Sequence, residues 1–533
     1  MSKTRKKKNY PIRKSDTIRL MPRKKKGLLR MIFSRAGLAV ILIFVQVFIF
    51  YSLYHMLSDH YESITTLMTF FSVLMVLYLF DSDMDSTAKL TWLLLLTLLP
   101  IPGAILLLFT EKDIGHRRIR DRIKQLIGDS RGMLKQDEGP INDPEVIESG
   151  TAALHTFLNK TGCFPIYDST DTKFYPLGDN AFEDMIEDLK RANRYIYLEF
   201  FIIDEGEMWG RVLKILADKA KKGVDVRVMY DGMCQVALLP SDYPVRLAQL
   251  GIKSKPFSPI HPFLSTHYNY RDHRKILVID GRIAYTGGIN LADEYINKRK
   301  RFGHWKDTAI RLRGEAVESF TLMFLQMWNL TEQNPDFSEQ IKPIKRCRFP
   351  SDGFVMPYCD CPLDQINVGE SVYIDILSRA KEYVHIMTPY LILDNELERA
   401  IKYAAQRGVD VKLILPGVPD KKAAYALAKS YYSFLTEAGV KIYEYTPGFV
   451  HAKVFVSDGE KAVVGTINLD YRSLYHHFEC AAYMYKTSCI TDIESDFQAT
   501  LQKCREVTPY TIKHEKLYYK AVGGVMRLAA PLM

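Results

Sequence analysis

Two histidines and two lysines recur at one spacing in this chain, as His273-x-Lys275-x4-Asp280 and His451-x-Lys453-x4-Asp458. On an extended strand, residues two apart face the same side, so each imidazole can share a pocket with its ammonium. Imidazole acts as nucleophile or general acid and base near neutral pH, and an ammonium is a compact charge suited to a phosphate ester and its transition state. In both copies an apolar run follows the Lys, then an Asp-Gly pair (Asp280-Gly281, Asp458-Gly459) and a second apolar run. That run ends in Gly287-Gly288-Ile289-Asn290 or Gly465-Thr466-Ile467-Asn468, a pattern that predicts a β-hairpin and then a loop. The amides of Asn290 and Asn468, beside these Gly-containing turns, are candidate donors to phosphoryl oxygens. One such match arises by chance at roughly the few-per-cent level, whereas two with the same flanks point to an internal repeat and one shared active site.

The motifs resemble the twin HKD signatures of the phospholipase D superfamily, and the layout is similar to that of bacterial cardiolipin synthases over nearly all of the chain after its basic tail. The resemblance implies an α/β fold of two phospholipase D-like repeats forming one pseudo-symmetric catalytic unit. It also implies that one motif His attacks phosphorus to form a phosphohistidine, while the other protonates the leaving alcohol and then activates the acceptor, with no metal or other cofactor. On that resemblance His273 is the nucleophile and His451 the general acid and base, the reverse order remaining open. Lys275, Lys453, Asn290 and Asn468 would hold phosphate oxygens. The family orients each His through a later carboxylate, and the matching residues are Asp307 in His304-Trp305-Lys306-Asp307 and Glu479 in His477-Phe478-Glu479. Asp280 and Asp458 complete the catalytic motifs, with a mainly structural role open. The implied reaction is phosphatidyl transfer from one phosphatidylglycerol to another, giving cardiolipin and glycerol.

The elements that position these residues are legible as a repeat. Leu189-Lys190-Arg191-Ala192-Asn193-Arg194-Tyr195-Ile196 aligns with Leu377-Ser378-Arg379-Ala380-Lys381-Glu382-Tyr383-Val384, and Gly223-Val224-Asp225-Val226 with Gly408-Val409-Asp410-Val411. Each copy reads as helix, strand, helix, strand and motif hairpin, which argues for a mixed, largely parallel sheet with helices outside. The expected units are residues 151–340 and 341–533. The copies diverge after the first strand, at Tyr197-Leu198-Glu199-Phe200-Phe201 and His385-Ile386-Met387-Thr388-Pro389-Tyr390, a difference that could separate donor from acceptor recognition. Glu199, ending an apolar strand, is a candidate pocket carboxylate, and a solvent-facing strand end is the equal alternative. His267, His304, His476 and His477 could line the pocket, while His155 and His385 read as structural. Cys359-Asp360-Cys361 has no second His/Cys pair at ligand spacing and reads as an ordinary loop.

The 533 residues carry a net charge of +10, unevenly spread. Residues 1–35 hold fourteen Lys and Arg against Asp16 alone, a tail of +13 that leaves about −3 for the rest. A near-neutral catalytic region lacks the broad basic surface that a nuclease needs, so nucleic acid is not an expected partner. Next to apolar sequence, the tail reads as a segment facing anionic lipid, with a disordered solubilising tail as the alternative. Apolar stretches at Gly37–Tyr54, Ile64–Phe80 and Leu90–Thr110 predict an α-helical membrane region over 36–110, joined by a connector at 111–150. Basic residues flank both ends, which favours an even number of crossings, and the third stretch is interrupted at Pro100-Ile101-Pro102-Gly103, so two or three spans are open. The expected location is the cell membrane with the catalytic unit cytoplasmic, and the expected ligands are phosphatidylglycerol and other anionic lipids. The terminal segment 514–533 reads as an amphipathic interfacial helix or a core-docking helix, with Gly523-Gly524 weakening both. The eight Cys have no disulfide-scaffold spacing and fit reduced thiols. The alternatives to a transferase are a membrane-bound phospholipase D that hydrolyses its lipid and a non-catalytic membrane scaffold. Oligomeric state is not legible.

Overall fold

The computed structural model describes residues 17–21, 52, 61–82, 84–98, 103–104, 106–108, 117–259, 270–335, 337, 349, 353–364 and 366–532. Of the basic tail, the described part lies on the catalytic unit. The amides of Leu20 and Met21 donate to the two oxygens of Glu205 at 2.9 and 3.0 Å, the Ile18 amide donates to Gly210 O at 3.0 Å, and Arg246 Nη1 donates to Leu20 O at 2.7 Å. Leu20 is buried among the residues of the first repeat.

The apolar stretch 37–54 lies outside the described residues except for residue 52. The second stretch forms α1 (Tyr61–Asp81) and the third begins as α2 (Ser86–Leu98), whose first amides donate to Asp85. After α2 the chain folds back. A Cβ at Gly103 would stand 3.1 Å from Leu95 O, although eight residues along a straight helix would separate the two by about 12 Å. Ala104 and Leu107 accordingly share a core with Trp92 and Leu96, and with Met75 and Leu79 of α1. The expectation of an α-helical membrane region needs correction to this extent: among the described residues, no helix is long and apolar enough to cross a membrane. Glu62 and Asp81 bound the apolar run of α1 from within the helix, and the fold-back at Gly103 ends that of α2.

The first repeat contains β1 (Thr170–Tyr175), α3 (Gly178–Arg191), β2 (Tyr195–Phe200), α4 (Glu207–Lys221), β3 (Asp225–Asp231), β4 (Lys253–Phe257), β5 (Arg271–Asp272), the motif hairpin β6 (Lys275–Ile279) and β7 (Ile283–Gly287), β8 (His304–Lys306), β9 (Ala309–Gly314) and α5 (Val317–Trp328). The second contains β10 (Phe354–Asp360), α6 (Val368–Arg379), β11 (Tyr383–Met387), α7 (Asn395–Gln406), β12 (Asp410–Pro416), α8 (Lys422–Glu437), β13 (Lys441–Tyr445), β14 (Gly448–Val450), the hairpin β15 (Val454–Ser457) and β16 (Lys461–Gly465), β17 (His477–Tyr485), α9 (Cys489–Leu501), β18 (Cys504–Glu506) and α10 (Leu517–Ala529). The sheets match strand for strand: β1-β9-β7-β6-β2-β3-β4 in one and β10-β17-β16-β15-β11-β12-β13, then β18, in the other. Only β2-β3-β4 and β11-β12-β13 are parallel along these orders. The sheets are therefore mixed rather than largely parallel, because each motif hairpin and the strands beyond it run antiparallel.

The alternation along β2 shows how one sequence serves two cores. Tyr195 and Tyr197 face a core shared with the second sheet, while Ile196, Leu198 and Phe200 face α3 and α4. The shared core includes Ile276, Val278 and Ile310 of one repeat and Phe455, Val463 and Tyr483 of the other, so the two units pack as one body through apolar sheet faces. Short strands then cross the boundary: β5 pairs in parallel with the start of β17, and β14 with β8. The terminal helix α10 docks on α8 at Gly523, where a Cβ would lie 2.4 Å from Ala426 O, so this glycine is what permits the contact. Its other side leaves Leu517, Tyr518, Val525 and Leu528 exposed, and Leu528 O accepts a hydrogen bond from Thr91 of α2.

Candidate active site

The crossing strands place each motif histidine beside a carboxylate of the other repeat. β5 carries the chain into His273, whose amide donates to Phe478 O at 3.0 Å, and the next residue on that strand is Glu479. β14 leads into His451, whose amide donates to Lys306 O at 2.7 Å, and the next residue there is Asp307. His273 Nδ1 lies 2.8 and 3.0 Å from the two Glu479 oxygens, and His451 Nδ1 lies 2.7 Å from Asp307 Oδ2. Both carboxylates are fully buried, so each bond is made away from competing water. Asp307 and Glu479, the carboxylates that the resemblance pairs with the motif histidines, are the ones placed beside His451 and His273.

Lys275 and Lys453 are buried beside their histidines. Lys453 Nζ is 2.9 and 3.1 Å from the two ring nitrogens of His451, whereas Lys275 Nζ donates to the backbone carbonyl of His273. Burial lowers the ammonium of Lys275 to about 8 and that of Lys453 to about 7. Burial, reinforced by Lys453, lowers His451 to about 4 against the pull of Asp307. His273 is likewise held well below its usual range by burial, with Lys275 adding to it and Glu479 opposing. For Glu479, burial works against ionisation, but the neighbouring His273 and His477 win and hold the carboxyl below its usual range. A neutral imidazole whose Nδ1–H points at an ionised carboxylate presents its Nε2 lone pair to a substrate.

The two halves of the site differ in detail. Thr466 Oγ1 donates to Glu479 Oε2, whereas the corresponding Gly288 has no side chain, and a Cβ there would collide with Asp307 Oδ1. His451 is surrounded by the rings of Trp305, Tyr295 and Phe449 at 5.3, 5.4 and 6.0 Å, while His273 meets Phe201 at 5.0 Å and His477 at 5.3 Å. Thr466, Tyr295, Trp305 and Phe201 were not singled out from sequence, and only the Gly288/Thr466 mismatch in the aligned motifs could have drawn attention to one of them.

Asp280 and Asp458 occupy the hairpin turns with φ of 54° and 53°, each followed by a glycine also at positive φ. The Asp280 carboxylate accepts from the amides of Asn193, Arg194 and Tyr195 at 2.7–2.9 Å, and that of Asp458 accepts from Lys381, Glu382 and Tyr383 at 2.9–3.0 Å. Of the two roles open from sequence, the contacts give the structural one: both acids tie the motif hairpin to the helix–strand turn. Asn290 is buried with Oδ1 accepting from the Ile202 amide and Nδ2 donating to Tyr295 OH, so its first task is to hold the loop after the hairpin. Asn468 is buried with its Oδ1 unpartnered. Glu199 is not a pocket carboxylate: it is fully buried and accepts from Arg274 Nε at 2.7 Å, with Asp272 on the same guanidinium. Its position is explained by Arg274, the residue between His273 and Lys275, whose side chain takes the opposite face of the motif strand. His385 pairs with Glu494 at 3.0 Å, as a structural histidine does.

The family model described as "Cardiolipin synthase, PLD-like domain" matches residues 185–328 and 373–501, covering both motifs and both exchanged carboxylates. The chain belongs to the cardiolipin synthase family of phospholipase D-like enzymes. It is 53% identical over 458 residues to an uncharacterized protein of Streptococcus mutans, covering 86% of this chain and 99% of that one. It is 34% identical over 459 residues to a cardiolipin synthase of Alkalihalophilus pseudofirmus, covering 85% of this chain and 91% of that one. Among solved structures, the phosphatidylserine synthase of Haemophilus influenzae covers 72% of this chain and 97% of its own with a TM-score of 0.53 at 16% identity, a likeness of fold. As a member of the cardiolipin synthase family, the protein is a phosphatidyltransferase with phospholipid substrates.

Proposed function

We propose that the protein makes cardiolipin from two phosphatidylglycerols through a phosphohistidine on His273. The observation that carries this reading is the exchanged pair of buried His–carboxylate contacts, each with a lysine beside it. His273 Nε2 attacks phosphorus, the bond from phosphorus to the headgroup glycerol oxygen breaks, and His451 Nε2, protonated by the neighbouring Lys453 ammonium, gives that oxygen its proton. A hydroxyl of the second phosphatidylglycerol then loses its proton to His451 and attacks phosphorus, which breaks the P–N bond and restores His273. The same kinds of bond are made and broken, so the reaction runs in both directions. The order of the histidines is supported by an asymmetry: Lys453 contacts the ring nitrogens of His451 and keeps a proton at hand there, whereas Lys275 contacts only the carbonyl of His273. The lysines supply positive charge to the equatorial oxygens in a site from which water is largely excluded.

Membrane attachment is part of the proposal, supported by exposed Phe70, Leu74, Leu77 and Phe80 on α1, Leu90, Leu94 and Leu98 on α2, and the outer residues of α10. The docking of residues 17–21 on the first repeat supports a tail and a catalytic unit on one side, and hence an even number of crossings between them. The third apolar stretch adds no crossing of its own, because it folds back at Gly103. Basic flanks at both ends favour the cytoplasmic side.

The test is an assay of purified protein in phosphatidylglycerol vesicles, with His273→Ala and His451→Ala alongside. Cardiolipin and glycerol from the unmodified protein, lost in both variants, are expected. Phosphatidic acid with glycerol and no cardiolipin would make the protein a hydrolase, and no product would overturn the substrate assignment.

A further inference from the structure

The proposed transfer leaves His477, a buried imidazole beside His273, unused. His477 Nδ1 stands 3.6 Å from Glu479 Oε1, too far for a hydrogen bond, and neither ring nitrogen has a hydrogen-bond partner although the residue is only 8% exposed. A buried imidazole in that condition calls for a ligand. Its ring is 5.3 Å from that of His273, and the ligand atoms of His273, His477 and Glu479 all lie within 4.8 Å of one another. Donor atoms around a tetrahedral zinc, at about 2.0–2.2 Å from the ion, are about 3.3–3.6 Å apart. The contacts at Glu479, 2.8 Å to His273 Nδ1 and 3.6 Å to His477 Nδ1, bracket that separation.

We propose that His273, His477 and Glu479 form a binding site for one zinc-class transition ion, and that its occupancy silences phosphatidyl transfer. The ion takes the Nδ1 lone pair of His273, whose ring proton moves to Nε2 and so occupies the attacking lone pair, and draws Glu479 from orienting the imidazole to ligating the metal. A fourth position stays open for water. The donor set of two imidazoles and a carboxylate suits zinc and its neighbours, whereas magnesium and calcium prefer all-oxygen sites and meet the nearby Lys275 ammonium without compensation from nitrogen ligands. The other half of the site cannot do the same: Trp305 occupies the place corresponding to His477, with its ring 5.3 Å from His451, and offers no ligand atom. One ion per chain follows.

The silencing, though not the site, rests on His273 being the nucleophile, so binding is measured apart from turnover. Metal-stripped full-length protein in detergent is titrated with zinc chloride by calorimetry, together with His477→Gln and His477→Phe, and the wild type is also titrated with cobalt. One zinc per chain, an affinity weakened more than roughly tenfold in the variants, and an intense tetrahedral cobalt absorption in the wild type are expected. Absence of stoichiometric zinc, equal affinity in a folded variant, or an octahedral cobalt spectrum overturns the site, whether or not the protein makes cardiolipin. In vesicles, transfer is expected to fall in step with zinc occupancy and return on chelation, and an active wild type unaffected at full occupancy overturns the silencing alone.

Discussion

Lys453 is held in a protonation balance that can be read from the stability of the whole protein. Its ammonium falls to about 7 on burial, against roughly 10.4 in an unfolded chain. Between those values the unfolded state binds the proton and the folded state does not, so stability rises with pH across the window and the full penalty is present below pH 7. In Lys453→Met, transfer is expected to disappear, and denaturant titrations from pH 7 to 10 should show the wild type gaining stability relative to the variant. A parallel pH profile for the two proteins would refute the buried ammonium. The motif itself made Lys453 and His451 legible, but the carboxylates that hold the histidines lie 206 and 144 residues from them in sequence. No spacing rule reaches that far, and only resemblance to a family pointed to Asp307 and Glu479. Glu199 was misplaced for a related reason, since a strand-end glutamate looks solvent-facing until the residue between His273 and Lys275 is known to turn its guanidinium inward. His477 stood in the sequence as one of several nearby histidines, and what distinguishes it is a lack of partners that only the fold reveals.

The hairpins show the third residue of each motif acting at the scale of an element. Asp280 sits in a left-handed turn and accepts three amides from the chain between α3 and β2, fixing the height at which β6 presents His273 and Lys275. Asp280→Ala removes the acceptor and places an alanine at positive φ, with an expected loss of about 2–3 kcal/mol. Asp280→Asn keeps a residue tolerant of that conformation and should lose less. Denaturation midpoints measure the difference, and activity per folded molecule should stay near that of the wild type in the Asn variant. A large loss of activity at unchanged stability would return Asp280 to the chemistry. The Asp-Gly signal announced these turns correctly because both turn positions take positive φ, which few residue pairs accept. The sheet was read as more parallel than it is, since helix–strand alternation is loud in sequence while the antiparallel strands β1, β9, β10 and β17 carry no equivalent pattern.

For the whole molecule, the tail bound at Glu205 and the fold-back at Gly103 bear on one question, the side on which the catalytic unit lies. With an even number of crossings, single cysteines placed at Ser2 and at Gln136 in a cysteine-free chain should both resist a membrane-impermeant maleimide in intact cells and both react after lysis. Labelling of one alone would contradict the even number of crossings. Glu205→Ala should free the tail, read as faster proteolysis near residue 20. Hydropathy alone could not decide this, because a broken apolar stretch has the same composition whether it continues or turns back.

The exchange of carboxylates between repeats also has a consequence in time. His273 is synthesised 206 residues before the glutamate that orients it, and His451 lies 144 residues beyond its aspartate. A chain still emerging from the ribosome holds every strand of its first sheet before Glu479 is made, and until then His273 lacks the carboxylate that orients it. The chemistry begins only when β17 has joined the second sheet, so a copy that stops short of it is inert toward the lipids around it.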